Sequence, residues 1–342
     1  MIPSSRRRRA IVLALSLLAG VARADEAPLR RIAFGSCNAQ QLPQPIWEAV
    51  IDSDPDLWIW TGDIVYPAAD SLELVRAAYA IQKERPEYVR LRAQCPIIGV
   101  WDDHDYGLDN GGAENPFKRE SQVALLDFLD EPVDSPRRKQ EGVYAKYSYG
   151  PAGQRVLIIL LDTRYHRDAP GEDGDVLGAA QWKWLEQALH DDDAQLTVIV
   201  SSIQVIPTEQ RFEKWANFPK SRQRLIRLIE QSGRRCVLLS GDRHIAETSS
   251  SAKMSALPTS HPLSEITSSG LTHSWKDFPG EPNQFRVGTV YTDLNFGLIT
   301  INWNLEPVVV SIEVRDVNGK PRLYDGLILD KIKARSEPAH WR

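Results

Sequence analysis

The sequence predicts an α/β fold in which mixed sheets are closed over by antiparallel strands. Three observations carry this expectation: apolar strand-like runs alternate with helical segments through the first two thirds, the final third is rich in strands, and polar residues gather where strands end. With 342 residues, 42% hydrophobic and 25% charged, the chain can bury a sizeable core and has the composition of a soluble globular protein.

Residues 1–24 stand apart from that body. Arg6, Arg7, Arg8 and Arg9 make a basic region, Ala10 to Ala22 an apolar one, and Ala22-Arg23-Ala24 a small-x-small cleavage signal before Asp25. This pattern predicts a cleaved export signal, with one catalytic domain over 25–342 whose strand-rich third begins near residue 262. The apolar run falls short of the ~20 residues needed to cross a bilayer. Ser5-Arg6-Arg7 also admits a twin-arginine signal, so the expected location is periplasmic or secreted. Removing those four arginines and Arg23 makes the formal net charge of −5 more negative by five. An acidic body repels polyanions, so no nucleic-acid-binding surface is expected.

The three cysteines cannot form a disulfide framework. Cys95 and Cys236 open apolar runs and read as buried thiols, whereas Cys37 closes a strand, where a ligand can sit.

Arg31-Ile-Ala-Phe-Gly-Ser-Cys37-Asn38 reads as the first strand, Gln44 to Asp52 as a helix, and Pro55-Asp-Leu-Trp-Ile-Trp-Thr61 as the second strand, ending in Gly62-Asp63-Ile-Val-Tyr66. Ser71 to Gln94 is helical and interrupted at Pro86. The third strand, Pro96 to Trp101, runs into the acidic cluster Asp102-Asp103-His104-Asp105. A helix at Ser121 to Leu129 precedes a hairpin, Gly142 to Tyr149 and Arg155 to Leu161, that ends in Asp162-Thr-Arg164. The amphipathic helix Gly178 to Leu189 leads to a strand from Leu196 to Gln204, and the helix Lys220 to Gln231 to Cys236-Val-Leu-Leu-Ser240 and Gly241-Asp242-Arg243-His244. Strands then follow at Glu265 to Leu271, Gly288 to Asp293, Gly297 to Trp303, Val308 to Val314 and Leu323 to Leu329.

In α/β folds, ligands collect beyond the carboxyl ends of strands, the position of Cys37, Asp63, Asp103, Gln204 and Asp242. Crowded carboxylates need a positive partner, either a metal ion or basic side chains. A thiolate and a phenolate, from Cys37 and Tyr66, suit a trivalent or Lewis-acidic transition metal, while Asp63, Asp103 and Asp242 suit a harder ion. Two unlike ions with Asp63 between them would suit phosphoryl transfer, with His104 protonating the leaving oxygen.

Gly62-Asp63-x-x-Tyr66, Asp102-Asp103-His104-Asp105 and Gly241-Asp242-Arg243-His244 resemble the metallophosphoesterase plan. Phe34-Gly-Ser-Cys37, Trp101-Asp-Asp-His-Asp-Tyr-Gly107 and Phe212-Glu-Lys-Trp-Ala-Asn-Phe-Pro219 bring the chain nearer to the alkaline phosphatase D family, over about Arg31 to Trp303. The resemblance implies a β-sandwich of two mixed sheets flanked by helices, a four-layer αββα arrangement. It further implies Fe3+ held by Cys37, Asp63, Tyr66 and His244, and Ca2+ held by Asp63, Asp103 and Asp242, with other divalent metals compatible. Gln204 would contact the second metal or its water, or simply cap its strand; Asn38 and Arg164 are the candidates for the phosphate oxygens. Relatives place Asn-Asp or Asn-Asn after the Tyr-Gly turn where this chain has Leu108-Asp109-Asn110, so Asn110 and also His273 carry no assigned role.

The function implied is an exported phosphoesterase of alkaline phosphatase type, in which a metal-bound hydroxide attacks a phosphate ester and His104 assists the leaving alcohol. The alternatives are a phosphodiesterase of phospholipase D type, which alone would bring the protein to a membrane surface, and a non-catalytic metal-binding protein. Oligomeric state is not readable from the sequence.

Overall fold

The computed structural model describes residues 27–190, 193–254 and 262–329; the proposed leader at 1–24 lies outside the described residues. Short apolar runs become strands here because both of their faces are covered. β1 (Arg31–Gly35) is followed by α1 (Ile46–Asp52), and β2 (Leu57–Thr61) by α2 (Leu72–Lys83) and α3 (Pro86–Gln94). Pro86 opens α3, where its missing N–H costs no helical bond and its fixed φ suits the first turn. β3 (Ile97–Val100) leads into the single turn α4 (Asp103–Tyr106), then α5 (Lys118–Phe128). The hairpin β4 (Ala145–Tyr149) and β5 (Val156–Leu160) precedes α6 (Gly178–His190), β6 (Leu196–Val200), α7 (Pro219–Ser232) and β7 (Cys236–Ser240). The rest is strand: β8 (Ala246–Ser250), β9 (Ser264–Ser268), β10 (Arg286–Tyr291), β11 (Asn295–Asn302), β12 (Val308–Asp316) and β13 (Pro321–Leu329).

These strands build two mixed sheets, ordered β13-β12-β11-β1-β2-β3 and β10-β8-β9-β7-β6-β5-β4. The alternation along β5 shows how they stack. Val156, Ile158 and Leu160 join the core between the sheets, while Leu157 and Ile159 join a second core with Trp182 and Leu185 of α6 and Leu225 and Ile229 of α7. On the first sheet Trp58 and Trp60 point outward. Their rings meet Trp47 of α1 edge-on, with centroids 5.0 and 5.5 Å away, and Trp60 donates its indole N–H to the Tyr88 hydroxyl of α3 at 3.1 Å. Each such ring pair contributes about 0.5–1.5 kcal/mol beyond area burial. The layers therefore run helix, sheet, sheet, helix, as expected.

β1, β2 and β3 are mutually parallel, as are β5, β6, β7 and β9, so the carboxyl ends of each group share one edge. That edge carries the site. β8 has no counterpart among the sequence expectations: Ala-Glu-Thr-Ser-Ser has no apolar alternation, yet four of its five residues are buried. Among the described residues, no helix is long and apolar enough to cross a membrane.

Candidate metal centre and active site

Two glycines let the site loops converge. A Cβ on Gly62, whose φ is +100°, would stand 2.6 Å from Cβ of Asp102, and a Cβ on Gly241 would stand 2.4 Å from the Ser36 hydroxyl. The residues they present pay for the close approach in backbone strain: Cys37, Asp63, Asp242 and His244 have φ of 58°, 48°, 67° and 55°. Left-handed backbone at a non-glycine residue costs on the order of 1–3 kcal/mol and persists only where packing enforces it. Its concentration at four residues on three separate loops marks this edge as functional.

Cys37, Asp63 and His244 offer ligand atoms that all lie within 4.8 Å of one another, and so do Asp63, Asp103 and His104. Asp63 belongs to both groups. Its Oδ2 accepts from the Tyr66 hydroxyl at 2.7 Å and from the Cys37 thiol at 3.5 Å, whereas its Oδ1 is buried without a partner. The Tyr66 hydroxyl also lies 3.1 Å from Nε2 of His244. Asp242 lines the same cleft, outside both groups.

Burial, reinforced by Cys37 and Asp103, raises the Asp63 carboxyl well above the ordinary carboxylate range. Burial likewise lifts the Cys37 thiol to about 11 and, together with Asp63, raises the Tyr66 phenol. Asp242 is raised by burial and then by Asp102 and Asp103. Asp103 differs: burial opposes its charge, but Arg164, His104 and the N–H groups of Asn110 and His104 outweigh it and bring the carboxyl down to about 2. Thiol, phenol and two carboxyls are thus all starved of positive charge in one place, and one carboxylate oxygen is orphaned there. Such a donor set fits two cations sharing Asp63.

The other acidic residues brace the loops. Asp105 accepts the N–H of Asp102 at 2.6 Å and of Ile64 at 3.1 Å, tying the turn after β3 to the turn after β2, and burial raises it to about 8. Asp102 accepts Nε of Arg164 at 2.6 Å and the Ser202 hydroxyl at 2.8 Å.

Three sequence expectations meet a different placement. Arg164 has no exposure: its guanidinium lies beneath the cleft, paired with Asp102 and, at 2.6 Å, with Glu213. Asn38 is also fully buried and donates to Ile64 O at 3.0 Å and Gln82 Oε1 at 2.8 Å, and neither side chain lines the cleft. Gln204 is not at a strand end, because β6 stops at Val200 and the Ser201 hydroxyl closes a local turn onto Ile203 O at 2.7 Å. Its amide donates to Glu247 at 2.7 Å and Thr267 at 2.9 Å, so it joins the polar packing around β8 and β9 rather than the donor set. Because Arg164 is the charge partner of the fully buried Asp102, Arg164→Met should cost about 3–5 kcal/mol of unfolding free energy by leaving that carboxylate without one, while Glu213 keeps its pair with Arg167. Denaturant titration checks this, and a loss under about 1 kcal/mol would remove Arg164 from the frame.

The structure adds residues without an assigned place. His273 sits with Nε2 3.2 Å from Nε2 of His244 and its ring edge-on to Tyr66, centroids 4.7 Å apart. The Ser269 hydroxyl lies 3.0 Å from the Cys37 thiol. Phe212, Glu213, Arg243 and Trp275 line the cleft, about 270 Å³, with Asp109, Asn110 and, of the donor groups, Asp63, Asp103, His104, Asp242 and His244. The Phe212 to Pro219 and Gly241 to His244 motifs held the signal for three of the four; Trp275 is brought in by its backbone N–H, which donates to His244 O at 2.7 Å.

Two mixed sheets with helices on both outer faces, and polar loops gathered at one strand edge, define a metallophosphoesterase-like fold. The chain belongs to the PhoD-like phosphatase family, whose model matches residues 32–289, and it is a phosphoesterase by that membership. Among solved structures, it is similar to PhoD (18% identity, 91% of this chain and 74% of that one, TM-score 0.63). It is also similar to GAP50, the anchor in the inner membrane complex of Plasmodium (13% identity, 90% of each chain, TM-score 0.58). A dimetal phosphatase from Danio rerio resembles it as well (12% identity, 89% of this chain and 100% of that one, TM-score 0.53). At these identities the likeness is one of fold. No curated protein matches the sequence.

Proposed function

We propose that this chain is an exported alkaline-phosphatase-type enzyme that hydrolyses phosphate esters at a two-ion centre. The observation that carries the reading is Asp63, common to two separate ligand groups on the floor of one cleft. Cys37, Asp63, Tyr66 and His244 would hold one ion, and Asp63, Asp103 and Asp242 the other. Thiolate and phenolate favour Fe3+ at the first, and carboxylates favour Ca2+ at the second. Bound there, the ions supply Lewis acidity toward phosphoryl oxygens and toward water.

The protein's own groups do the rest. Asp103 stays ionised at neutral pH because Arg164 and two backbone N–H groups favour its charge. Two of its neighbours, Asn110 N at 2.8 Å and His104 N at 2.9 Å, fix the carboxylate's rotation. The His104 ring packs on Tyr66 with centroids 4.2 Å apart and opens to the cleft, where it can hold a proton for the departing alcohol. Phe212 and Trp275, edge-on to each other with ring centroids 5.7 Å apart, give the cleft an aromatic wall.

Kinetics on paired substrates test this reading. Protein recovered from the periplasm, with Asp25 as its first residue, should hydrolyse an aryl phosphate monoester at least tenfold faster than the matching diester. A reversed ratio would make it a phosphodiesterase of phospholipase D type. No turnover of either, with no bound metal, would leave only the non-catalytic reading.

A further inference from the structure

A phosphoesterase cleft must accept an anion, and this one is lined by the carboxyl groups of Asp63, Asp103, Asp109, Glu213 and Asp242. Cations at the donor groups offset part of that charge; the outer part of the cleft needs its own. Among the described residues lining it, Arg243 alone carries a permanent positive charge.

Its guanidinium is built in rather than waving in solvent. The side chain is 3% exposed, Nη2 pairs with Glu281, and Cζ stands 4.6 Å over the ring of Phe212. Nε is buried without a hydrogen-bond partner. A guanidinium offers five N–H donors in a planar fork, and an unpaired donor on a buried charge is costly to leave so. The salt bridge and the ring fix the fork's plane and leave donors over. Its backbone is held too, since Arg243 N donates to Gly241 O at 2.8 Å within the turn that presents Asp242 and His244. Two other arginines come near but do not line the cleft: Arg164 is engaged by Asp102 and Glu213 and has no exposure, and Arg167 is engaged by Glu213 and the Asn110 carbonyl.

We propose that Arg243 is the anion-binding residue of the cleft: its free N–H groups donate to the non-bridging oxygens of the phosphate ester and of the phosphate product. Glu281 and the face of Phe212 orient it for that contact. The assignment rests on the phosphoesterase reading and deepens it.

The test uses metal-loaded protein and inorganic phosphate as the probe. Arg243→Lys, Arg243→Gln and the charge-balanced double variant Arg243→Gln/Glu281→Gln are compared with wild type for metal content and for phosphate Kd by titration calorimetry. Expected are wild-type metal content throughout, a Kd raised about tenfold or more in both Gln variants, and a smaller rise for Lys, which keeps the charge but not the fork. A Kd within about twofold of wild type in a variant that keeps its metal overturns the proposal. Loss of metal from both Arg243→Lys and the double variant overturns it too, because the residue then supports its ligand neighbours instead. Wild-type protein that hydrolyses no ester and binds no phosphate would instead sink the phosphoesterase reading underneath.

Discussion

Asp63→Asn should lower kcat/KM on a phosphate ester by about 10³-fold or more, equivalent to about 4 kcal/mol of transition-state stabilisation, and strip metal from both positions together. The reasoning is local. Asn keeps the volume of Asp and can still accept from Tyr66, but it removes the one charge that both ligand groups share. A ligand belonging to one group alone would deplete one ion only. The variant should nevertheless fold. Burial, Cys37 and Asp103 all disfavour the Asp63 carboxylate, so a neutral amide relieves electrostatic cost in the metal-free protein. At neutral pH, metal-free Asp63→Asn should be at least as stable as metal-free wild type. Elemental analysis and denaturant titration of the same preparations read both statements. A variant that keeps one ion at full occupancy would show that Asp63 does not bridge.

The second large effect belongs to His104. If it donates the proton to the leaving alcohol, His104→Gln should slow an alkyl phosphate by about 10²–10⁴-fold, the usual worth of a positioned acid. An aryl phosphate with an acidic phenol needs little such help and should slow only about tenfold or less. Metal content should stay at the wild-type level. The geometry makes this a sharp test, because the imidazole also lies within ligand range of Asp63 and Asp103. Equal losses on the two substrates, accompanied by loss of metal, would make His104 a ligand rather than an acid.

The architecture was legible because its signals are local. Each of β1, β2, β3, β5 and β7 is a run of apolar residues buried on both sides, and the α6 stripe through Trp182, Leu185 and Leu189 repeats at helical spacing. Cys37, Asp63, Asp103 and Asp242 could be nominated for one reason: each follows such a strand closely, and parallel strands bring their carboxyl ends to a common edge. The same rule misplaced Gln204, since it depends on where β6 stops, and β6 stops at Val200, short of it. Arg164 does follow β5 closely, but its long side chain turns down to Asp102 and Glu213, a choice set by tertiary contacts from loops far along the chain. β8 was invisible for a related reason. Its burial is satisfied by polar partners, Glu247 taking bonds from Gln204 at 2.7 Å and from Arg286 at 2.7 Å, and no hydrophobic periodicity announces it. His273 and Trp275 reach the site on the loop after β9, with Thr272 Oγ1 accepting the Ala39 N–H at 2.7 Å to close that loop over Cys37. Nothing in residue spacing foretells such a closure.

The sharing of Asp63 between two ions is the claim on which the rest depends. The measurement that tests it most directly is elemental analysis of wild-type and Asp63→Asn protein, both purified without added metal. Two ions per wild-type chain, iron and calcium, with both falling in the variant, is the predicted result. A wild-type protein that is fully active with one ion or none would contradict it.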